Sequence, residues 1–123
     1  MKVISTNNAP AAIGPYSQGI ISGCLFFASG QIAINPATGE IEGEDIVSQT
    51  TQVMKNIGAL LEAAGTDYTR VVKTSCFLAN MEDFATFNEI YASYFTGKPA
   101  RSCVAVKTLP KNVLCEVEVI AEV

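Results

Sequence analysis

The chain contains no histidine and no tryptophan, and only two arginines, Arg70 and Arg101. Without histidine, Ser–His and Cys–His nucleophile pairs are excluded, as is any imidazole base. Four cysteines occur, Cys24, Cys76, Cys103 and Cys115, but no two form a C-x-x-C pair. A zinc site would have to gather thiolates from four distant segments, so reduced thiols acting as small apolar side chains are expected, and no metal. Charged residues are scarce, 16% against 49% apolar. A lone domain of 123 residues normally covers its large relative surface with charge, so part of this apolar surface is expected to meet another subunit. The formal net charge is −4 and the few cations are scattered, which argues against a broad nucleic-acid-binding face. No apolar run approaches a membrane span, and MKVISTNNAP lacks the apolar core of a signal peptide. These features predict a single cytoplasmic domain over residues 1–123.

Polar and apolar residues alternate in a readable order. Residues 1–5 suit a short strand, and 7–16 a loop ending Ile13-Gly14-Pro15-Tyr16. Residues 17–22 and 24–32 read as a hairpin broken at Gly23, with Cys24, Phe26 and Ala28 on one face of the second strand. Asn35-Pro36-Ala37-Thr38-Gly39 is a turn. Asp45 suits a helix N-cap with Glu44 beside it, and Ile46, Val53, Met54, Ile57, Leu60, Leu61 and Ala64 recur at helical spacing up to a stop at Gly65. Gly58, inside that helix, predicts close packing on a sheet. A strand over 71–79 follows, with Val72, Cys76 and Leu78 on one face. Asn80 then caps a helix over 82–95 with a buried aromatic stripe. Strands over 101–107 and 114–123 flank a turn at Leu109-Pro110-Lys111-Asn112. The order β-β-β-α-β-α-β-β predicts an α+β domain, two helices on one face of a mixed or antiparallel sheet. Strands apolar on both faces leave the second face to be covered by closed self-association.

Two residues stand out as candidate chemistry. Arg101 opens an apolar strand, where its planar fork needs an anionic partner, either a substrate carboxylate or a structural glutamate. Glu116 lies on the last strand, opposite in phase to Val117, Val119 and Ala121. A short turn joins the two strands, which predicts that they pair and hold Arg101 and Glu116 within reach of each other. Arginine can anchor a carboxylate and glutamate can take a proton from water. That pair suits attack on an already electrophilic carbon such as an imine.

The segments Ala9-Pro10-Ala11-Ala12-Ile13-Gly14-Pro15-Tyr16-Ser17-Gln18-Gly19, Ser29-Gly30-Gln31-Ile32, Asn35-Pro36-Ala37-Thr38-Gly39-Glu40, Asp83-Phe84-Ala85-Thr86-Phe87-Asn88, Pro99-Ala100-Arg101-Ser102-Cys103-Val104 and Leu109-Pro110-Lys111, with Glu116-Val117-Glu118, together resemble the Rid (YjgF) superfamily and its RidA branch. The resemblance spans essentially the whole chain. It implies a chorismate-mutase-like fold, a homotrimer around a central β-barrel, and clefts between adjacent subunits. It also implies cofactor-free hydrolysis of 2-aminoacrylate or 2-aminocrotonate, or their imines, to 2-oxo acids and ammonia. Such species come from pyridoxal-phosphate-dependent dehydratases. By the same resemblance Arg101 binds the substrate carboxylate, Glu116 positions water and Tyr16 closes over the ligand. Ser29 and Gly30 offer backbone groups, Phe87 and Asn88 lie near the cleft, and Cys103 lines it. The stretch Thr96-Gly97-Lys98 is shorter than in many relatives, which opens the rim before Arg101. Other readings are a non-catalytic sensor of 2-oxo acids, and a ribonuclease or translation inhibitor. The second is disfavoured by the acidic charge and missing histidine.

Overall fold

A computed structural model describes residues 1–123. Six strands and two helices follow the predicted order. They are β1 (Lys2–Ile4), β2 (Gly19–Ser22), β3 (Leu25–Ala28), α1 (Ile46–Ala63), β4 (Val71–Leu78), α2 (Phe84–Tyr94), β5 (Ala100–Ala105) and β6 (Cys115–Glu122). They form one sheet in the order β1-β2-β3-β6-β4-β5. Every pairing is antiparallel except β4 with β5, the two strands joined through α2. A helical crossover is what a parallel neighbour requires.

The predicted pairing of the last two strands is therefore wrong. β6 inserts between β3 and β4, and β5 lies beyond β4 at the edge. The segment between them is no hairpin turn. It carries a one-turn helix, Pro110–Asn112, with left-handed φ values of 56° at Lys111 and 55° at Asn112. The strand over 24–32 is also shorter than predicted. It ends at Ala28, the chain bends through Ser29 and Gly30, and Gln31 bridges to Val117 on β6. Cys24 sits in the exposed turn beside Gly23 (φ 61°), not on the buried face with Phe26.

Both helices pack on one face of the sheet over a core of Phe26, Val53, Met54, Ile57, Leu60, Leu78, Phe87, Val117 and Val119. The period-two reading of β6 holds, with Cys115, Val117, Val119 and Ala121 buried. On β4 a bulge between Val71 and Lys73 shifts the phase. Val71 joins Cys76 and Leu78 in the core, and Val72 turns outward at 40% exposure. Alternation alone predicts the reverse, because a bulge adds one residue to the count.

Helix ends follow local chemistry. Asp45 Oδ1 accepts from Ser48 N at 2.8 Å, capping α1. At the other end Gly65 adopts φ 80°, with Gly65 N donating to Glu62 O and Thr66 N to Leu61 O. That is the left-handed cap that only glycine adopts without strain. Asn80 makes no side-chain cap; a short 3-10 turn, Met81–Asp83, precedes α2, so that helix starts later than predicted. Gly58 does not approach the sheet. A Cβ there would lie 3.4 Å from the Tyr68 ring, whose hydroxyl donates to Met54 O.

The opposite sheet face has no helix. Phe27 (42% exposed) and Val104 (48%) lie there with half-buried Phe77 and Ile120. No helix is long and apolar enough to cross a membrane.

Candidate active site

Glu116 rests on the face of β6 away from the helices. Its carboxylate occupies the space made by the bend after β3: a Cβ on Gly30 would stand 2.1 Å from Glu116 Oε2 and 2.9 Å from Cδ. Only glycine leaves this room. The carboxylate faces a cavity of about 610 Å³, lined also by Tyr16, Ser29, Gly30, Lys111 and Glu118. Burial pushes the Glu116 carboxyl above the ordinary glutamate range, and Glu118 adds to the rise. A carboxyl of this kind exchanges protons more readily near neutrality than a solvated one.

The wall of this cavity is held by polar side chains that pattern reading passes over. Gln18 is buried and satisfies a whole loop. Its Nε2 donates to Thr6 O, Ala9 O and Pro10 O, and its Oε1 accepts from Thr6 N at 2.7 Å. That loop carries Tyr16, which is 53% exposed. On α1, Asn56 Nδ2 donates to Ile32 O and Ile34 O, and Gln49 Oε1 accepts from Leu114 N, just before β6. Buried glutamines amid apolar residues were the available signal. Gln18→Ala strands four backbone groups; it is expected to destabilise the fold by about 2–3 kcal/mol. Urea unfolding, with proteolysis of residues 6–16, checks this.

The bend at Ser29 supplies less than its residue types suggest. Ser29 N donates to Gln18 O and Ser29 Oγ to Ser17 O at 2.6 Å, so both protons are engaged. The Gly30 N–H has no hydrogen-bond partner within the chain.

Arg101 occupies a second site. It lies on β5 opposite Thr74 and faces α2. Its Nη1 donates to Asn88 Oδ1 at 2.6 Å. Its guanidinium carbon lies 4.7 Å from the Tyr91 ring centroid and 5.4 Å from that of Phe84. Tyr91 is held by Thr74, hydroxyl to hydroxyl, at 2.8 Å. Aromatic faces and a neutral amide orient the fork but leave its charge without a carboxylate. The structural ion pair with a glutamate is therefore not what holds Arg101. Tyr91 and Phe84, expected only as core, form its platform.

Phe87 is fully buried beneath Tyr91, ring centroids 5.9 Å apart, so its side chain supports the platform. Cys103 follows Arg101 on the same face, paired with Cys76 and half-buried. Burial raises its thiol pKa, against the opposing pull of Arg101. Cys76 and Cys115 are pushed up to about 12 and about 11 by burial. Thiols this hard to ionise are poor nucleophiles.

Arg101 and Glu116 do not meet in one chain. Arg101 pairs with Thr74 on the helix face; Glu116 pairs with Phe77 on the other face. With β4 between them and three residues of offset, they are roughly 14 Å apart on opposite sides of the sheet. One chain thus presents an acid-lined cavity and a separate, oriented guanidinium.

These features define a two-layer α+β domain with a half-buried carboxylate facing a cavity on one side of the sheet and an oriented guanidinium without an anion on the other. A profile of the Endoribonuclease L-PSP family matches residues 6–123, and the chain belongs to this family, also known as Rid or YjgF. Among its relatives, a Lactococcus lactis protein named "Putative regulator AldR" is 60% identical over 100% of this chain and 98% of its own. The 2-iminobutanoate/2-iminopropanoate deaminase of Escherichia coli K12 is 48% identical over 98% of this chain and 96% of its own. The crystal structure of E. coli TdcF with bound serine superimposes with a TM-score of 0.95 at 42% identity, covering 100% of this chain and 99% of that one.

Proposed function

We propose that this protein hydrolyses 2-imino and 2-enamino acids, such as 2-aminoacrylate and 2-aminocrotonate, to 2-oxo acids and ammonia without a cofactor. The observation that carries the reading is the pair of half-sites. Arg101 is oriented yet lacks an anion, and Glu116 is a half-buried acid facing a cavity. Their opposite faces favour a cleft built from Arg101 of one subunit and Glu116 of the next. The exposed apolar sheet face suits the closed trimer that would create it. Cys103 and Asn88 border the Arg101 side; Tyr16, Ser29 and Gly30 border the Glu116 side. The deaminase names of relatives support the reaction class, and the serine held by TdcF supports a small amino-acid-like ligand.

The chemistry follows from the groups. Arg101 binds the substrate carboxylate by its two-pronged fork. Protonation of an enamine at C3 gives the iminium, whose C2 is electrophilic. Glu116 takes a proton as water oxygen bonds to C2. The protonated acid then returns its proton to the amine, and as C2=O forms the hydroxyl proton passes back to Glu116 and ammonia leaves. Gly30 N–H is the available donor to the developing oxygen. The direct test is release of 2-oxo acid and ammonia when a dehydratase generates 2-aminoacrylate from serine. No acceleration, with 2-oxobutyrate still bound, would favour a carboxylate-responsive regulator, the reading suggested by the name of the AldR relative.

The raised Glu116 pKa gives a signed prediction. In the folded chain its ionisation is disfavoured, so its contribution to stability is complete below the unfolded value, about 4.3, and is lost as pH rises through the higher folded value. Glu116→Gln is thus expected to abolish most turnover while slightly raising Tm at neutral pH. That Tm gain should shrink to nothing near pH 4. The acid limb of wild-type kcat should lie above that of a solvated glutamate. Thermal melts and rate profiles across pH check both.

A further inference from the structure

Beside Arg101, on the helix side, lies a cavity of about 480 Å³ lined by Asn88, Tyr91, Phe95, Thr96, Lys98 and Pro99 among others. It holds two cations, Lys98 and Arg101, and no carboxylate lines it. Lys98 has an unusual backbone. Its φ is 52°, in the left-handed region, although it is a bulky side chain immediately before a proline. Left-handed backbone is unfavourable for a residue that carries a Cβ, and proline further restricts the residue before it. Three local features accompany this geometry. Lys98 N donates to Phe95 O at 3.2 Å, Pro99 fixes the following φ, and Gly97 runs close to Thr69, where a Cβ would stand 3.3 Å from Thr69 O. The chain between α2 and β5 is thus short and pinned, and the root of the Lys98 side chain is held in place. Glycine or asparagine would fit that backbone with less strain, as at Lys111 (φ 56°); what sets Lys98 apart is that its side chain lines a cavity with Arg101 and no carboxylate.

We propose that Lys98 forms a second anion subsite beside Arg101, and that the protein accepts 2-imino dicarboxylic acids, with Arg101 on the carboxylate next to C2 and Lys98 on the distal one. This rests on the assignment of Arg101 as the carboxylate anchor. The reaction is unchanged and redox-neutral: water adds to C2, the C2–N bond breaks, ammonia leaves, and a 2-oxo dicarboxylate remains. A neutral side chain would compete less well for such substrates than for monocarboxylates, because the distal charge would lose its partner.

The test is calorimetric binding of 2-oxoglutarate and 2-oxobutyrate to the full chain and to Lys98→Asn, Lys98→Arg and Arg101→Ala. Asparagine suits the left-handed backbone, so the fold is retained. The wild type should bind the dicarboxylate more tightly. That preference should fall about tenfold in Lys98→Asn and persist in Lys98→Arg. The ratio of kcat/KM for 2-iminosuccinate, made from aspartate by a flavoprotein oxidase, to that for 2-iminopropanoate should fall in parallel. An unchanged preference in Lys98→Asn, or none in the wild type, overturns the subsite. If Arg101→Ala binds both acids as well as the wild type does, the assignment of Arg101 falls instead.

Discussion

Arg101→Ala is expected to lower kcat/KM for 2-imino acids by about 10²–10³-fold, the range for removing one partner of a desolvated, hydrogen-bonded charge pair. Binding of 2-oxobutyrate should weaken in parallel, since product and substrate share the carboxylate. Little folding energy is at stake, because Arg101 is half-exposed and its side chain makes a single hydrogen bond, to Asn88. Arg101→Lys should recover only part of the rate, as a lysine cannot present two parallel donors. Wild-type kinetics in Arg101→Ala would remove this residue from the mechanism. A mixing experiment separates a shared cleft from a site within one chain. Arg101→Ala and Glu116→Gln, each inactive alone, are unfolded together and refolded at equal amounts. In a closed ring where each cleft takes Arg101 from one subunit and Glu116 from the next, about one quarter of clefts carry both native residues. Recovery near that level is expected; none would place both residues on the same chain's cleft.

Gly30→Ala is expected to cut kcat by about 10²-fold with the fold intact. The added Cβ would fall 2.1 Å from Glu116 Oε2, so the carboxylate must swing away. The moving group is the end of a flexible side chain, which accommodates the methyl group cheaply, and Tm should change by no more than about 2 °C. The displaced acid no longer aims water at C2, and a misplacement of about 1 Å suffices for a loss of that size. Binding of 2-oxobutyrate through Arg101 should survive. The pattern to measure is therefore kcat loss with retained binding, opposite to that of Arg101→Ala. Unchanged kcat in Gly30→Ala would show that the position of Glu116 is not what sets the rate.

Much of this was readable from residues alone. The strand and helix order, the Asp45 and Gly65 ends of α1, and the buried phase of β6 follow from local rules: capping chemistry, left-handed glycine and period-two alternation act over a few neighbours. Arg101 and Glu116 were visible as a charge at the start of an apolar strand and an acid out of phase with a valine row. Strand pairing is not fixed by such local rules. Chain proximity favoured a hairpin between the last two strands, yet β6 runs between β3 and β4, because α2 returns the chain parallel to β4 and leaves β5 at the edge. The bulge at Val71/Lys73 and the bend at Ser29–Gly30 likewise depend on strands distant in sequence.

The sequence by itself thus determined the elements, the family resemblance and the two candidate residues. Only the tertiary structure decided that these two lie on opposite faces of the sheet, that Tyr91 and Phe84 orient Arg101, and that Gly30 makes room for Glu116. The reason is physical. Capping and periodicity are set by neighbours along the chain, whereas strand register, and with it the face each side chain takes, is set by which segments bury their apolar rows together.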